Sequence, residues 1–242
     1  MVSEVYFLDL RKWRDALKGI DLLLRATAED LKAEERVAVK VHFGERGNYT
    51  YLRPAFVRRV VDSLKGIGAS PFVTETTALY PTGFRSNAEE VIETARFNGF
   101  TEDGLGCPIV VADGLYGENG VEVSLERAWG GCQIKKISVA RGIVESDALV
   151  VLSHVKGHLL SGFGGAIKHL GMGCTTKRGK REQHAAHGLV VKYERCTGCG
   201  ECVKACRFSA LRMEGGRPVR DEERCVYCNT CMFSCGQDAI TL

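Results

Sequence analysis

The sequence predicts an α/β fold: a helix-covered, largely parallel sheet, followed by a small C-terminal α+β module. Two observations predict the sheet. Short apolar runs recur along the first part of the chain, and segments with helical periodicity separate them. The crowding of cysteines after residue 195 marks the module. We therefore expect two domains, at residues 1–188 and 189–242.

Continuous apolar runs are typical of strands buried on both faces of a sheet. The candidate strands are residues 5–8, 37–42, 71–74, 109–112 and 148–152. Apolar residues at helical spacing predict amphipathic helices over residues 13–24 and 56–64. Asn87 and Glu90 form the pattern of a capping box, and Asn98-Gly99 is a common left-handed stop, so a third helix is expected between them.

Composition narrows the functional classes. The 33 basic and 30 acidic residues give a net charge of +3, without the basic excess that nucleic-acid binding requires. No basic N-terminal region precedes an apolar stretch, and no run of about 18 apolar residues occurs. We therefore expect no membrane-spanning segment, and we expect a cytoplasmic location. In such a compartment, the 11 cysteines are expected to be metal ligands or redox groups rather than disulfides.

The last fifty or so residues contain an internal repeat with an offset of 29 positions. The flanking residues repeat as well, since Glu194-Arg195 corresponds to Glu223-Arg224. The paired cysteines are Cys196 and Cys225, Cys199 and Cys228, Cys202 and Cys231, and Cys206 and Cys235. Two copies of one unit predict a pseudo-twofold module.

Each copy reads Cys-x2-Cys-x2-Cys-x3-Cys and resembles the two-cluster bacterial ferredoxins. The resemblance implies two 4Fe-4S clusters, with the fourth cysteine of each run ligating the other cluster. The expected ligand sets are Cys196, Cys199, Cys202 and Cys235 for one cluster, and Cys225, Cys228, Cys231 and Cys206 for the other. Two zinc sites or a disulfide framework are the alternatives, but zinc favours paired Cys-x2-Cys knuckles. The chain has Arg207 and Gly236 where that family usually has proline.

The first domain carries a second resemblance, to a family known only as domain-of-unknown-function family 362. The segments that carry it are residues 40–45, 113–117, 153–158, 162–168 and 171–174. Members of that family frequently carry the same C-terminal ferredoxin module. Because the activity of the family is not settled, the resemblance implies an architecture more than a mechanism.

Histidines follow the last predicted strand. His154 and His158 lie in the loop past residue 152, at the carboxyl end where open α/β sheets bind ligands. Together with His184, and with Cys174 as a further candidate, they predict an additional transition-metal site. The alternatives are that these histidines only bond the backbone, that Lys168 extends from a core helix, and that the glycines form turns. Cys174 is a candidate nucleophile or ligand, or else an inert buried thiol.

A short stretch also resembles the nickel-pincer lactate racemases. His158 precedes a glycine-rich turn, Lys168 follows it by ten residues, and His184 lies sixteen beyond. In that family the histidines act at the metal or substrate and the lysine tethers the organic cofactor. One extra residue between the glycine pair and Lys168 departs from the pattern. Loop amides and the basic residues 177–181 predict a small anionic substrate.

The function expected from these features is that of an iron-sulfur oxidoreductase. The clusters would pass single electrons to or from a site beside His158, Lys168 and His184, with a redox partner protein at the other end. Two alternatives remain. One is a non-enzymatic electron carrier or adaptor that docks a partner redox enzyme, and the other is a metallocofactor assembly protein.

Overall fold

A computed structural model describes residues 4–81, 83–125, 134–158, 161–186 and 188–241. The chain forms two compact units. The first contains residues 1–122 and 138–176, and the second contains residues 123–137 and 177–242. The predicted domain boundary after residue 188 stays a prediction.

The described strands are β1 (Arg36–Lys40), β2 (Ser70–Glu75), β3 (Ile109–Val111), β4 (Gly120–Ser124), β5 (Lys136–Ala140), β6 (Ala148–Val151), β7 (Lys156–His158), β8 (Gly162–Gly164), β9 (Val190–Val191), β10 (Leu211–Glu214), β11 (Arg217–Arg220) and β12 (Ile240–Thr241). The described helices are α1 (Ala16–Thr27), α2 (Pro54–Gly66), α3 (Ala88–Phe97), α4 (Glu102–Leu105), α5 (Arg141–Val144), α6 (Ala166–Gly171), α7 (Lys177–Ala185), α8 (Glu201–Ala205) and α9 (Thr230–Phe233).

The first unit is built on a four-stranded sheet with the order β3-β2-β1-β6, in which every neighbouring pair is parallel. In the register of the centre, Val39 lies between Val73 and Val150. The chain passes outward from β1 to β3 and then returns to the opposite side of β1 with β6. The strand order therefore reverses between β1 and β6, which is the position where doubly wound sheets form a ligand crevice. The predicted α/β fold with a parallel sheet is confirmed.

Apolar clusters cover both faces of the sheet. Val37 and Val39 belong to one cluster, together with the buried face of α2, whereas Ala38 and Phe72 belong to the other. Side chains alternate between faces along a strand, so a continuous apolar run such as that of β1 supplies both clusters at once.

One predicted strand is wrong. Residues 5–8 do not form a strand, and the side chains of Val5 and Phe7 are 88% and 83% exposed. The short apolar run pairs with no described strand. The N-cap and the left-handed stop predicted for α3 are confirmed, but the reciprocal half of the capping box is wrong: Asn87 accepts a hydrogen bond from the Glu90 amide, and Gly99 has a φ of 84°. Glu90 itself bonds the Ser86 amide and hydroxyl rather than closing the reciprocal bond to Asn87.

The remaining strands form two-stranded sheets. In the first unit, β7 and β8 pair antiparallel and place His158 opposite Gly162. In the second unit, β9 pairs with β12 and β10 pairs with β11, both antiparallel. Among the described helices, none has the length and apolar composition that a membrane crossing needs.

Candidate functional site

The second unit reproduces the sequence repeat as a structural repeat. Leu211 pairs with Arg220 in the β10–β11 ladder, and Ile240 pairs with Val191 in the β9–β12 ladder. These two pairs are related by the same offset of 29 residues that relates the cysteines. Each ladder therefore joins one strand of the first half to one strand of the second half. The result is the pseudo-twofold module that the sequence predicts.

Two pockets in this unit gather the cysteines into quartets. Each pocket encloses about 370 Å³, part of it open to solvent. The walls of the first pocket include Cys196, Cys199, Cys202 and Cys235, and those of the second include Cys206, Cys225, Cys228 and Cys231. Each quartet thus takes three cysteines from one run and the fourth from the other run.

Backbone amides point at the sulfur atoms in equivalent places. The Ala210 amide lies 3.3 Å from the Cys206 sulfur, and the Ala239 amide lies 3.3 Å from the Cys235 sulfur. Both sulfurs belong to the fourth cysteines of their runs, so both pockets receive the same N–H donor. Donors of this kind stabilise a charged sulfur in a buried site.

The loops that carry the cysteines need left-handed backbone at equivalent positions in both halves. The pairs are Gly198 and Tyr227, Gly200 and Asn229, and Ser209 and Asp238. A residue with a side chain costs about 1–2 kcal/mol more than glycine in this conformation. The second half nevertheless adopts the same path with Tyr227, which indicates that the arrangement of the sulfurs requires that path.

The protonation of the buried cysteines indicates that the pockets are suited to a bound cation. Burial raises the pKa of the Cys202 and Cys225 thiols and raises the pKa of Cys231 to about 11. These thiols would stay protonated at neutral pH unless a cation took the place of the proton. Iron supplies that charge, so the donor set fits an iron-sulfur cluster.

The cysteines of each quartet are distributed along the wall of a pocket. Within the part of the chain that the structure describes, no three His, Cys, Asp or Glu side chains are grouped closely enough to share one metal ion. A tetrahedral zinc site would bring four sulfurs to about 2.3 Å from one centre. In a 4Fe-4S cubane each cysteine ligates a different iron atom, which suits quartets that line a pocket.

The first unit contains a network of buried charge centred on Lys40, the last residue of β1. Its side chain is fully buried, and its ammonium group donates to the Val41 carbonyl at 2.8 Å and to Glu75 Oε1 at 2.5 Å. The third contact is with His169 Nε2 at 2.8 Å. An ammonium group has three protons, so these contacts use all of them. The ring of His169 therefore accepts at Nε2 and carries its own proton on Nδ1, which lies 2.9 Å from Ser153 Oγ.

Glu75, the last residue of β2, joins Lys40 to a second histidine. Its Oε1 also accepts from the Thr76 amide at 3.0 Å, and its Oε2 lies 3.0 Å from His42 Nδ1. Burial alone would raise the pKa of the Glu75 carboxyl, but the Lys40 charge and the His42 hydrogen bond hold it well below the ordinary value. Glu75 is therefore a carboxylate, His42 donates from Nδ1, and Nε2 of His42 is the unprotonated nitrogen.

Both histidines of the network are neutral at pH 7. Burial is the main cause that lowers the pKa of His42. Burial, followed by the charge of Lys40, lowers the pKa of His169 to about 4. A neutral imidazole whose tautomer is set by a carboxylate has the chemistry of a general base or of a metal ligand. The His42 side chain remains 30% exposed, so its ring is accessible from solvent.

The network lies where the fold provides a crevice. Lys40 and Glu75 end neighbouring parallel strands, and Ser153 follows β6 on the other side of β1. The carboxyl ends of parallel strands meet at one edge, and the strand order reverses between β1 and β6. Asp113, which follows β3, supports this edge: its carboxylate accepts from the amide and hydroxyl of Thr77 at 2.8–3.1 Å.

The sequence-predicted residues of the first unit lie around the β7–β8 hairpin and α6. His158 Nδ1 accepts from the Ser161 amide at 3.2 Å, and burial and then the charge of Lys168 lower the pKa of His158. The Lys168 ammonium contacts Met172 Sδ at 3.2 Å, and burial lowers its pKa. His154 is exposed.

His184 lies in α7 and belongs to the second unit, so the meeting of His158, Lys168 and His184 in one site stays a prediction. The additional metal at His154, His158 and His184 stays a prediction too. Cys174 is buried in the apolar cluster that contains Ala38, which favours the packing alternative over a nucleophile. Cys132 lies outside the described residues.

Sequence reasoning missed Glu75 and His169 as site residues. Lys40, His42 and Asp113 were noticed only as parts of a family resemblance. A usable signal was present, because three polar residues, Glu75, Thr76 and Thr77, stand at the carboxyl end of a buried strand. For His169 no local signal exists: it stands on a short helix 129 positions beyond Lys40, and only the fold joins them.

Comparison with known proteins supplies the family. The sequence model of the family described as "Domain of unknown function (DUF362)" matches residues 37–227, which is most of the chain. The chain belongs to the DUF362 family. A model described as "4Fe-4S binding domain" matches residues 218–241 of this DUF362 protein. No curated protein and no solved structure is detectably similar to it. The DUF362 resemblance with a C-terminal ferredoxin domain is therefore confirmed.

Replacing Lys40 with methionine in this DUF362 protein should be strongly destabilising. The substitution Lys40→Met leaves the buried Glu75 carboxylate without its cation, and breaking a buried ion pair in this way costs about 3–5 kcal/mol. The double variant Lys40→Met/Glu75→Gln removes the orphaned charge and should recover part of that loss. Equilibrium urea unfolding followed by circular dichroism measures both. A double variant that is no more stable than Lys40→Met would contradict the charge-burial argument.

His169 should remain neutral through the physiological pH range. Its pKa falls from 6.5 to about 4 in the folded protein, so an NMR titration should show no inflection above pH 5.5 for the resonance lost in His169→Gln. The unfolded chain binds this proton near pH 6.5, so stability supplied by neutral His169 is present above that pH and is lost as the pH falls toward 4. An inflection near pH 6.5 would show that Lys40 does not donate to this ring.

Proposed function

We propose that this DUF362 protein is an electron-transfer protein that holds two 4Fe-4S clusters with crossed ligation. The match to a 4Fe-4S binding domain supports an iron-sulfur electron-transfer role. The observation that carries the finer proposal is the division of eight cysteines into two pockets, each with three cysteines from one run and the fourth from the other. When bound, each cluster supplies one-electron redox chemistry.

The protein's own residues hold the clusters and shield them from water. The cysteine loops hold the sulfurs, and the Ala210 and Ala239 amides offset charge on them. Burial of Cys202 and Cys231 keeps water from that side of the pockets. Cluster exposure and hydrogen bonds to sulfur tune the potential of such a centre. The repeat supports a pair of sites rather than one, because the cysteine quartet, the amide donor and the left-handed loop positions of the first site each have a counterpart in the second.

The substitution Cys206→Ala tests the crossed assignment. Protein prepared without oxygen should contain about eight iron atoms per chain. In Cys206→Ala the cluster of Cys225, Cys228 and Cys231 should be lost or converted to a three-iron form, whereas the cluster of the first run should remain. Iron analysis with EPR spectroscopy of the reduced protein measures this.

Cys107→Ala is the matched control for that experiment, because Cys107 is a buried cysteine of the other unit. Its iron content should equal that of the wild type. Loss of the first-run cluster in Cys206→Ala would overturn the crossed assignment. Tetrahedral zinc in place of iron, in protein made with ample iron, would overturn the cluster proposal itself.

The α/β unit has, in this proposal, an acid-base centre at His42 where a small anionic substrate exchanges a proton alongside the electron. Glu75 orients His42, and Lys40 holds Glu75 ionised, so the unprotonated Nε2 can take a proton. The Arg85 guanidinium is near enough to lower the pKa of His42. Its Nη2 pairs with the Glu45 carboxylate, whereas its buried Nε bonds no described residue, which supports an anion at that nitrogen. The residues that the sequence predicts to contact the substrate remain His158, Lys168 and His184.

Acetate serves as a probe of this centre. The NMR resonance that disappears in His42→Asn should shift on addition of acetate, with a smaller shift at the same concentration in Arg85→Gln. Chloride at equal ionic strength is the control for non-specific screening. If acetate and chloride have the same effect, or if Arg85→Gln responds like the wild type, the anion site at His42 is excluded.

One observation favours the alternative of an adaptor that docks a redox partner protein. Val155, Phe163 and Ile167, around the glycine-rich turn, expose between 63% and 81% of their surface. Exposed apolar side chains that lie together are typical of interaction surfaces rather than of closed catalytic pockets. An anion response at His42 supports the enzyme, and its absence from a protein that still holds both clusters supports the adaptor.

A further inference from the structure

The two cysteine pockets are related by the 29-residue repeat, but their walls differ in charge and in hydrogen-bond donors. The pocket of Cys225, Cys228, Cys231 and Cys206 is called the second pocket here, and the other is called the first pocket. Three positions that distinguish them are pairs within the repeat: Thr230 and Glu201, Arg220 and Val191, and Asn229 and Gly200.

The first difference is a hydroxyl in place of a carboxylate. Thr230 Oγ1 lies 3.3 Å from the sulfur of Cys228 in the second pocket. A cysteine that ligates iron has no proton, so the threonine hydroxyl is then the donor. The equivalent residue of the first pocket is Glu201, whose carboxylate accepts from Lys204 at 2.7 Å and can donate nothing to a sulfur.

The second difference is a guanidinium group in place of an alkyl side chain. Arg220 lines the second pocket with its side chain 21% exposed, whereas its counterpart in the first pocket is Val191. Glu222 neutralises part of this charge through an ion pair at 2.5 Å. A second guanidinium compensates, because Arg181 donates to the Cys225 carbonyl at 3.0 Å and also to the Glu222 carbonyl.

The third difference is an asparagine side-chain amide where the first pocket has a glycine. Asn229 and Gly200 have the same left-handed backbone, but the Asn229 side chain is buried in the wall of the second pocket. Its Oδ1 bonds none of the described residues. The oxygen and nitrogen of an amide are assigned from their partners, so the group can turn its NH2 toward a sulfur of the pocket. An orphaned polar atom in this wall fits a cluster that accepts hydrogen bonds.

All three differences act in the same direction on reduction. A 4Fe-4S cluster becomes more negative by one unit when it accepts an electron, and nearby cations and donors to sulfur stabilise that state. The second pocket provides a hydroxyl, an amide and the Arg220 guanidinium, with Arg181 bonded to the Cys225 carbonyl. The first pocket provides a carboxylate, which pairs with the exposed Lys204, and the backbone amides are common to both.

We propose that the cluster in the second pocket has the higher reduction potential and holds the electron in the one-electron-reduced protein. The cluster in the first pocket is then the low-potential centre. This inference rests on the proposed two-cluster function. The reaction is the addition of one electron from an external one-electron reductant such as dithionite to an oxidised cluster, with no bond made or broken. The first electron that enters reduces the cluster in the second pocket, and the next electron reduces the cluster in the first pocket.

An anaerobic redox titration followed by EPR spectroscopy tests this asymmetry on the whole protein. The wild type should give two separate waves. Thr230→Val removes the hydroxyl and should shift the more positive wave to lower potential while leaving the other in place. The matched variant at the equivalent position, Glu201→Gln, removes a carboxylate from the first pocket and should shift the more negative wave to higher potential.

Asn229→Gly gives a second test that does not depend on Thr230→Val holding its iron. Glycine suits the left-handed backbone at this position and is the residue of the other half, so the loop should keep its path. It too should lower only the more positive wave. Coincident waves in the wild type, or a shift of the more negative wave in Thr230→Val or Asn229→Gly, would overturn the asymmetry. Iron analysis separates this outcome from failure of the proposed function, which would appear as protein without two clusters.

Discussion

A buried ammonium group must find a partner for each of its three protons, and this requirement organises the carboxyl end of the sheet. Lys40 is fully buried at the end of β1, and its partners are the carbonyl of the next residue, a carboxylate at the end of β2 and a histidine of α6. Each partner is in turn constrained: Glu75 stays ionised and His169 stays neutral. The free energy that such a buried network costs is seldom recovered as stability, which is one reason to look for function there.

A related constraint acts in the second unit, where the charge to be buried is on sulfur. Thiols as deeply buried as Cys231 ionise only if a cation replaces the proton, and the loops around them supply amides in equivalent places in both halves. The repeat provides the two sites with one architecture. In our proposal, the side chains that differ between the halves, above all Thr230 and Glu201, set which of the two sites is reduced first.

The two units therefore offer complementary chemistry. The cysteine pockets suit one-electron steps, and the His42–Glu75 pair suits movement of a proton. The proposed redox reaction on a small anion would use both kinds of chemistry. The exposed apolar residues around the glycine-rich turn are a separate surface feature of the first unit and are better suited to a protein partner.

The sequence by itself determined the parallel α/β fold, the caps of α3, the duplicated cysteine runs and the DUF362 family. These are local or periodic features: apolar runs, capping residues and cysteine spacings keep their meaning without knowledge of distant contacts. Only the tertiary structure decided that residues 5–8 remain outside the sheet, since pairing depends on a free neighbouring strand. It also decided which residues surround Lys40. Glu75 and His169 lie 35 and 129 positions beyond it, and no spacing along the chain reports a hydrogen bond that exists only because β1, β2 and α6 converge at one edge.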